Sequence, residues 1–486
     1  MLLTSFEFIV FSVVLLTVYY IVPVRTQWVV LLLFSLLFYI TYGLFGLTYV
    51  LFCVILTYAV SGFLSKKDCS KRIRKAVFAG TLFLIFAMLF LFKLNIKKGI
   101  LPLGISFYTF TLAGYLTDIY RSRAVAEKNI FKHALFTLYF PSLIQGPISR
   151  YGELSGELFS THLPCRENIS VGLLRVSVGF FKKLAVADMT GTVVGNIIEK
   201  QMSGAYVLFL IIAYSVQIYF DFTGGMDIVI GLSRMLGIRL EENFNSPFTS
   251  KSIKEFWRRW HITLGRWFAD YVFMPISISR PMQKLSKLSR KRLGSEKGKK
   301  IPVFLSVMIT WLLTGLWHGT GANFIVWGFL NGALILVSQE MQPMYKRFND
   351  RFPKLCESYA WEFFCRVRTF LIIGSIRILD CYRDVGRTAV SFISIFYDFS
   401  SWRGLFRGGI IGLGLDLKHI VILMIFVLTV CFTNEIQHRK GISLYEKISA
   451  RPFLAFACIG GLFLLTLVFG AYGIGFEESQ FIYNEF

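Results

Sequence analysis

Two histidines carry the clearest chemical signal in this chain of 486 residues. One closes the run Trp257-Arg258-Arg259-Trp260-His261, the other sits in Leu316-Trp317-His318-Gly319. There are six histidines in all, and these two are tryptophan-flanked and 57 positions apart. Imidazole has the unperturbed side-chain pKa nearest to physiological pH. In its neutral form it takes a proton from a hydroxyl nucleophile and returns it to a leaving group, which is the proton work of acyl transfer. Acyl transfer also needs donors aimed at the oxyanion that forms on the carbonyl. Trp317, Thr314 and Asn323 carry N–H or O–H groups beside His318 in the sequence and are the first candidates. The chain has no Gly-x-Ser-x-Gly elbow. A lone histidine would read as a satisfied core residue. Two, each beside tryptophan and each in an interrupted apolar segment, read as a site.

Those segments belong to a membrane protein. The chain is 55% hydrophobic and 17% charged, against about 45–50% and about 25% in soluble domains. The net charge is +23. The basic residues sit in short loops between apolar runs, as the positive-inside bias requires, and anionic lipid headgroups are sufficient partners for them. No folded basic domain is visible, so nucleic acid is not an expected partner. The eight cysteines form no Cys-x-x-Cys pair. Many lie in or beside apolar runs, where cysteine behaves as a small hydrophobe. No metal site and no disulfide framework are expected. Residues Met1 to Glu7 carry no basic leader region, so the first apolar run is expected to stay as a membrane helix.

A crossing takes about 20 apolar residues. Phe6–Val22, Trp28–Tyr42, Leu44–Leu64 and Ala76–Leu94 are the first four. Lys66 to Lys75 holds six basic residues and one acid, which puts it in the cytoplasm and the N-terminus outside. Ile100–Tyr120 and Phe131–Ile148 are interrupted by Pro, Gly and polar groups, Gln145 among them. Such segments are tolerated at membrane depth when protein or a water-filled cavity surrounds them, so both should pack inside the bundle or line a cavity. Tyr206–Gly237 is too long for one crossing. Its Asp221 reads either as a functional intramembrane carboxylate or as a satisfied one capping a helix broken at Gly224-Gly225. Ile253–Ile276 reads as one amphipathic helix, with Trp257, Trp260, His261, Leu264 and Trp267 on its aromatic face. Ser277–Lys300 reads as a basic cytoplasmic loop. Ile301–His318 places Trp311, Thr314, Gly315 and His318 on one face. Phe363–Asp380, interrupted by arginines, is a marginal span, Arg383–Asp398 is amphipathic, and Leu417–Thr433 and Phe453–Ile474 close the series. The fold class is all-α and polytopic, with 11–13 membrane helices and re-entrant or amphipathic segments. It is one integral membrane domain: residues 1–98 are N-terminal helices, 99–340 the core holding both histidines, and 341–486 C-terminal helices.

The motifs resemble the membrane-bound O-acyltransferases, in particular their bacterial branch with the alginate O-acetyltransferase membrane subunit. Leu101–Phe110 (LPLGISFYTF), Phe140–Tyr151 (FPSLIQGPISRY), Tyr214–Gly237, Asn243–Ile276 (with WRRWHIT) and Leu313–Gly332 (with LWHG) carry the resemblance. It implies a helical fold around a central funnel or tunnel. It implies that His318 is the catalytic base and that His261 assists. Trp317, Thr314, Asn323, Trp260, Trp257, Asp221 and Gln145 are then the candidates for tunnel lining or oxyanion donors. It further implies a bacterial cell membrane, no bound cofactor, and acetyl-CoA as donor, with a carrier-protein thioester as the alternative. Extracytoplasmic acyltransferase partners would pass the acetyl group to a polysaccharide or peptidoglycan acceptor. D-alanyl transfer toward teichoic acid is the second reading, and a channel or solute carrier is the reading from another class. The chain departs from the family pattern at Gly225, where Tyr is frequent, and at Ser277-Ile278-Ser279, where Leu-Gly-Gly is common.

Overall fold

The computed structural model describes residues 1–66, 68–94, 101–409, 411–472 and 481. Lys67 of the first basic loop, the expected helix start at Ile100 and the expected span end at residues 473–474 lie outside them. Among the described residues every regular element is a helix, and the β structure is one bridge between Phe244 and Trp260. Seven helices of the described residues are long and apolar enough to cross a membrane. Phe6–Ile21, Val24–Ile40 and Val385–Tyr397 are shorter apolar helices. The chain is a multi-pass membrane protein. It divides into two compact units, one of Met1–Ala185, Asp221–Glu242 and Ser443–Phe486, the other of Val186–Phe220 and Asn243–Ile442.

In the first unit the apolar helices present bare hydrophobic faces. Phe83 is 76% exposed and Phe453 92%, which in water would be costly and in lipid is the expected solvent contact. The interrupted segments are inside, as their composition required. No residue of the Ile105–Tyr120 helix is exposed, and from His133 to Ser149 every residue except Ser142 is buried. The chain stops one helix at Leu138 and restarts at Phe140, with Pro141 in a first turn that needs no N–H donor. Tyr139 Oη donates to Ser233 Oγ at 2.9 Å, and Tyr39 Oη donates to the Leu103 carbonyl at 2.6 Å, so these breaks are fixed by side chains.

The helix expected to break at Gly224-Gly225 does not. It runs unbroken over Ala205–Met235, 31 residues, or about 46 Å at 1.5 Å per residue. The glycines serve close packing instead. A methyl group on Gly179 would lie 2.7 Å from the Gly224 carbonyl oxygen and 2.8 Å from the Ile228 nitrogen. Gly172 and Gly231 repeat the contact one step along, so the Arg166–Phe180 helix meets the second half of Ala205–Met235 backbone to backbone. Small residues at such crossings let van der Waals contact replace the hydrophobic drive that lipid does not supply. Gly179→Ala is therefore expected to destabilise the protein by about 1–3 kcal/mol, the cost of overpacking a seam whose neighbours are backbone. Thermal unfolding in detergent measures it; an unchanged midpoint would mean the seam is slack.

Gly225 has a different use. A methyl group there would fall on Gln145 Oε1, so the absence of a side chain at 225 makes the room that Gln145 fills. Gln145 is fully buried, and neither amide atom has a hydrogen-bond partner among the described residues. Asp221 lies in this intact helix and is ion-paired. It takes a 2.8 Å hydrogen bond from Lys183 Nζ, with both side chains 2% exposed. Lys183 lies on a π-helical turn, Phe181–Ala187.

In the second unit two expectations change. The basic segment after Ser277 is a helix, Arg280–Gly298, kinked at Gly294. Ser279 caps it and Pro281 stands in its first turn, both ordinary start signals, and Lys and Arg are good helix formers. The Ile253–Ile276 segment is not one helix. It is Ile253–Arg259, Ile262–Phe268, a π-helical turn over Ala269–Phe273 and Met274–Ser277.

Candidate active site

The break in that segment holds His261, so the histidine is at a corner and not on a helix face. Residues 243–245 run against 259–262. Asn245 N–H donates to the Arg259 carbonyl and Ile262 N–H to the Asn243 carbonyl, both at 3.0 Å. This pairing takes the place of the helical hydrogen bonds lost at the corner. His261 adopts φ +48°, the left-handed region, which is uncommon for a residue with a side chain. Arg259 locks the entry, donating to the Ser246 carbonyl at 3.3 Å and pairing with Glu255. Trp260 stacks on Phe256 at 5.6 Å, and the Arg377 guanidinium lies 3.7 Å from the Trp260 ring centre. That contact is a buried cation–π pair.

His261 is 3% exposed. Its Nδ1 is 3.3 Å from Asn243 Oδ1, which also accepts from Thr263 N–H and Thr263 Oγ1, each at 3.0 Å. The corner lies outside the seven candidate spans. Burial pushes the His261 imidazole down to about 3, because a low-dielectric site disfavours the charged form. His261 is thus neutral at physiological pH.

His318 ends the Lys300–His318 helix, and Gly319 turns the chain into Ala322–Glu340. The two helices pack through glycine. A methyl group on Gly315 would strike the Phe324 carbonyl, and one on Gly328 the Trp311 carbonyl. This closeness sets the His318 ring against Trp327, centroids 4.9 Å apart, and in line with Phe324 at 6.4 Å. Trp327 belongs to a cluster with Trp257 and Trp311, seated on Ile376 and Leu379 of the Tyr359–Tyr382 helix.

Trp317 joins the two histidines. Its ring centre is 6.2 Å from that of His261 and 4.7 Å from that of His318. The imidazoles can be no farther apart than those two distances end to end, so residues 57 positions apart in sequence share one small neighbourhood.

Of the other candidates, Trp260 and Trp257 flank this neighbourhood through the contacts above. Thr314 is partly buried, and its hydroxyl donates to the Thr310 carbonyl at 2.8 Å, so that proton is used within the helix. Asn323 Nδ2 donates to the Leu379 carbonyl at 3.2 Å, which fixes the amide against the Tyr359–Tyr382 helix. The second N–H of the Asn323 amide is not used by that bond. Gln145 and Asp221 belong to the first unit, in the surroundings already described. Sequence reasoning passes over Asn243, Arg377 and Trp327. Asn243 opens the run NFNSPF, and Arg377 is an arginine in an apolar helix; the latter is a usable signal, because such a charge needs a partner.

Residues 34–289, more than half of the chain, match the family model described as MBOAT, membrane-bound O-acyltransferase family, and the chain belongs to that family. His261 lies within the matched segment and His318 beyond it. The chain is 36% identical over 241 residues to the probable alginate O-acetylase AlgI of Pseudomonas syringae pv. tomato, covering 49% of this chain and 43% of that one. It is 31% identical over 302 residues to the peptidoglycan O-acetyltransferase of Helicobacter pylori, covering 54% of each. It is 27% identical over 252 residues to the teichoic acid D-alanyltransferase of Bacillus subtilis, covering 51% and 61%. The match spans about half the length of the relatives named first.

Proposed function

We propose that the protein is an O-acyltransferase of the bacterial cell membrane, moving acetyl groups from a cytoplasmic donor toward O-acetylation of an extracellular polysaccharide or peptidoglycan. The observation that carries this reading is the shared Trp317 neighbourhood of His261 and His318. In the reaction, the acceptor hydroxyl oxygen bonds to the thioester carbonyl carbon. His318 takes the hydroxyl proton, the carbon–sulfur bond breaks, and the thiolate leaves with a proton returned by the imidazole. His261, buried and neutral, orients the hydroxyl. The aromatic walls exclude water that would hydrolyse the thioester.

The donor is acetyl-CoA and no cofactor stays bound. The charge of the Arg280–Gly298 helix and of the basic residues between Lys66 and Lys75, the last of them in the first turns of the Lys71–Leu94 helix, supports a cytoplasmic side there, and three spans back the N-terminus is extracytoplasmic. Extracytoplasmic acyltransferase partners carry the group to the final acceptor. Acetyl is favoured over D-alanyl because the relatives named as O-acetylases are 31–36% identical and the D-alanyltransferases named are 26–27%.

The test uses the full chain in lipid nanodiscs, supplied with acetyl-labelled CoA or with a D-alanyl-charged carrier protein, and a small hydroxyl compound as acceptor in place of the partner proteins. Label is expected to leave acetyl-CoA for the acceptor. Label leaving the carrier protein alone would establish the D-alanyl reading. Solute flux in proteoliposomes with no transfer from either donor would establish a channel or carrier.

A further inference from the structure

We infer that Asn243 is the positioning residue of this site, holding His261 as the Nδ1–H tautomer so that Nε2 is the nitrogen that presents its lone pair to substrate. The inference rests on the reading that His261 takes part in acyl transfer.

It follows from which atoms can donate. Thr263 N–H is a backbone donor and nothing else. It points at the Asn243 side chain at 3.0 Å, so the atom it meets is the carbonyl oxygen, Oδ1. Flipping the amide would bring Nδ2–H against that N–H, two donors facing each other in a buried site, which leaves both unsatisfied. The orientation of Asn243, 1% exposed, is therefore fixed by the backbone of Thr263. His261 Nδ1 approaches the same oxygen at 3.3 Å. A bare Nδ1 would set lone pair against lone pair. Nδ1 carries the proton, and in a neutral imidazole Nε2 then carries none.

The local fold is built for this. Thr263 is the second residue of the Ile262–Phe268 helix, and His261 stands at its N-cap position but makes no side-chain cap hydrogen bond. An N-cap side chain ordinarily takes the N–H of the second or third residue. Here Asn243, 18 positions upstream, does it in place of His261, while its own carbonyl takes Ile262 N–H. The imidazole is relieved of capping and kept for the site. Asn243 also brings a dipole and no charge. A carboxylate in its place would favour the imidazolium; an amide together with burial keeps the ring neutral. His261 is consequently suited to accept a hydrogen bond from the substrate hydroxyl, leaving the full proton transfer to His318.

Solid-state nitrogen NMR of the full chain in lipid, with histidine labelled, reads the tautomer directly. The chain has six histidines, and the His261 signals are those lost in His261→Gln. A protonated Nδ1 and an unprotonated Nε2 are expected in the unsubstituted protein; the reverse pattern overturns the inference, whatever any variant does. Asn243→Asp, which keeps the acceptor oxygen but adds a charge, is expected to keep Nδ1 protonated and to shift the ring toward the imidazolium, with Nε2 protonated as well. Asn243→Leu is expected to lose the unsubstituted pattern, with acyl transfer reduced about 10- to 100-fold, as for other groups that orient a functional histidine. An unchanged spectrum in a folded Asn243→Leu protein would also overturn it. Full acyl transfer by His261→Gln would sink the catalytic reading of His261, while the spectrum of the unsubstituted protein would still decide the tautomer on its own.

Discussion

His318→Ala is expected to lower acyl transfer by about 10²- to 10⁴-fold, the usual contribution of a positioned general base, with the protein still present in the membrane. The variant removes the imidazole that ends the Lys300–His318 helix beside Trp317 and Trp327. It also removes a ring that packs on Phe324 and Trp327, so part of any loss could come from a loosened wall. Two measurements separate the causes. Thermal unfolding in detergent reports the packing, and His318→Gln keeps most of the volume without the base. If the base matters, His318→Gln is stable and as inactive as His318→Ala. Added imidazole should also restore some transfer to His318→Ala, because the cavity then accepts a free base, but none to His318→Gln. Full activity in a folded His318→Ala protein would remove His318 from the chemistry.

Much of this site is legible in the sequence because its chemistry is written in short runs. Two Trp-His pairs in interrupted apolar segments announce a pair of imidazoles packed among aromatic rings, and the glycines after His318 announce a turn. The burial of Ile105–Tyr120 and His133–Ser149 is legible for the same reason: breakers and polar groups cannot face lipid. What stays hidden is set by partners far along the chain. Trp257, Trp260, Leu264 and Trp267 keep helical spacing straight across the corner at His261, so periodicity alone predicts one helix. The corner exists because residues 243–245 pair with 259–262, and a local pattern carries no trace of that pairing. The Gly224-Gly225 pair misleads in the opposite direction. Two glycines in a long apolar run suggest a break, but a helix held at close range by Gly179 and Gly172 gains more from contact than it loses from glycine's flexibility. The Arg280–Gly298 helix reads as a loop from its charge, although Ser279 and Pro281 are start signals in plain view.

Asp221→Leu is expected to destabilise the protein by about 3–5 kcal/mol, because it leaves the Lys183 ammonium in a site where both side chains are 2% exposed. The double variant Lys183→Met/Asp221→Leu should recover most of that loss. Two apolar side chains of similar volume avoid the desolvation cost that the ion pair's own attraction barely offsets. Asp227 provides the contrast. It holds both Arg175, at 2.9 Å, and Lys182, at 2.6 Å, so Lys182→Met leaves it a cation and should cost less than Asp221→Leu. Unfolding midpoints of the four proteins in one detergent test the order. Asp221→Leu as stable as the unsubstituted chain would mean that the pair is not buried as described. The stable double variant then answers the question that Asp221 poses as a carboxylate inside a membrane helix. Acyl transfer retained there would make the pair a structural tie between the Phe181–Ala187 turn and its neighbouring helix. Transfer lost without loss of stability would make Asp221 a working residue. The buried ion pair favours the first outcome, since a carboxylate already bonded to an ammonium is poorly placed to exchange protons.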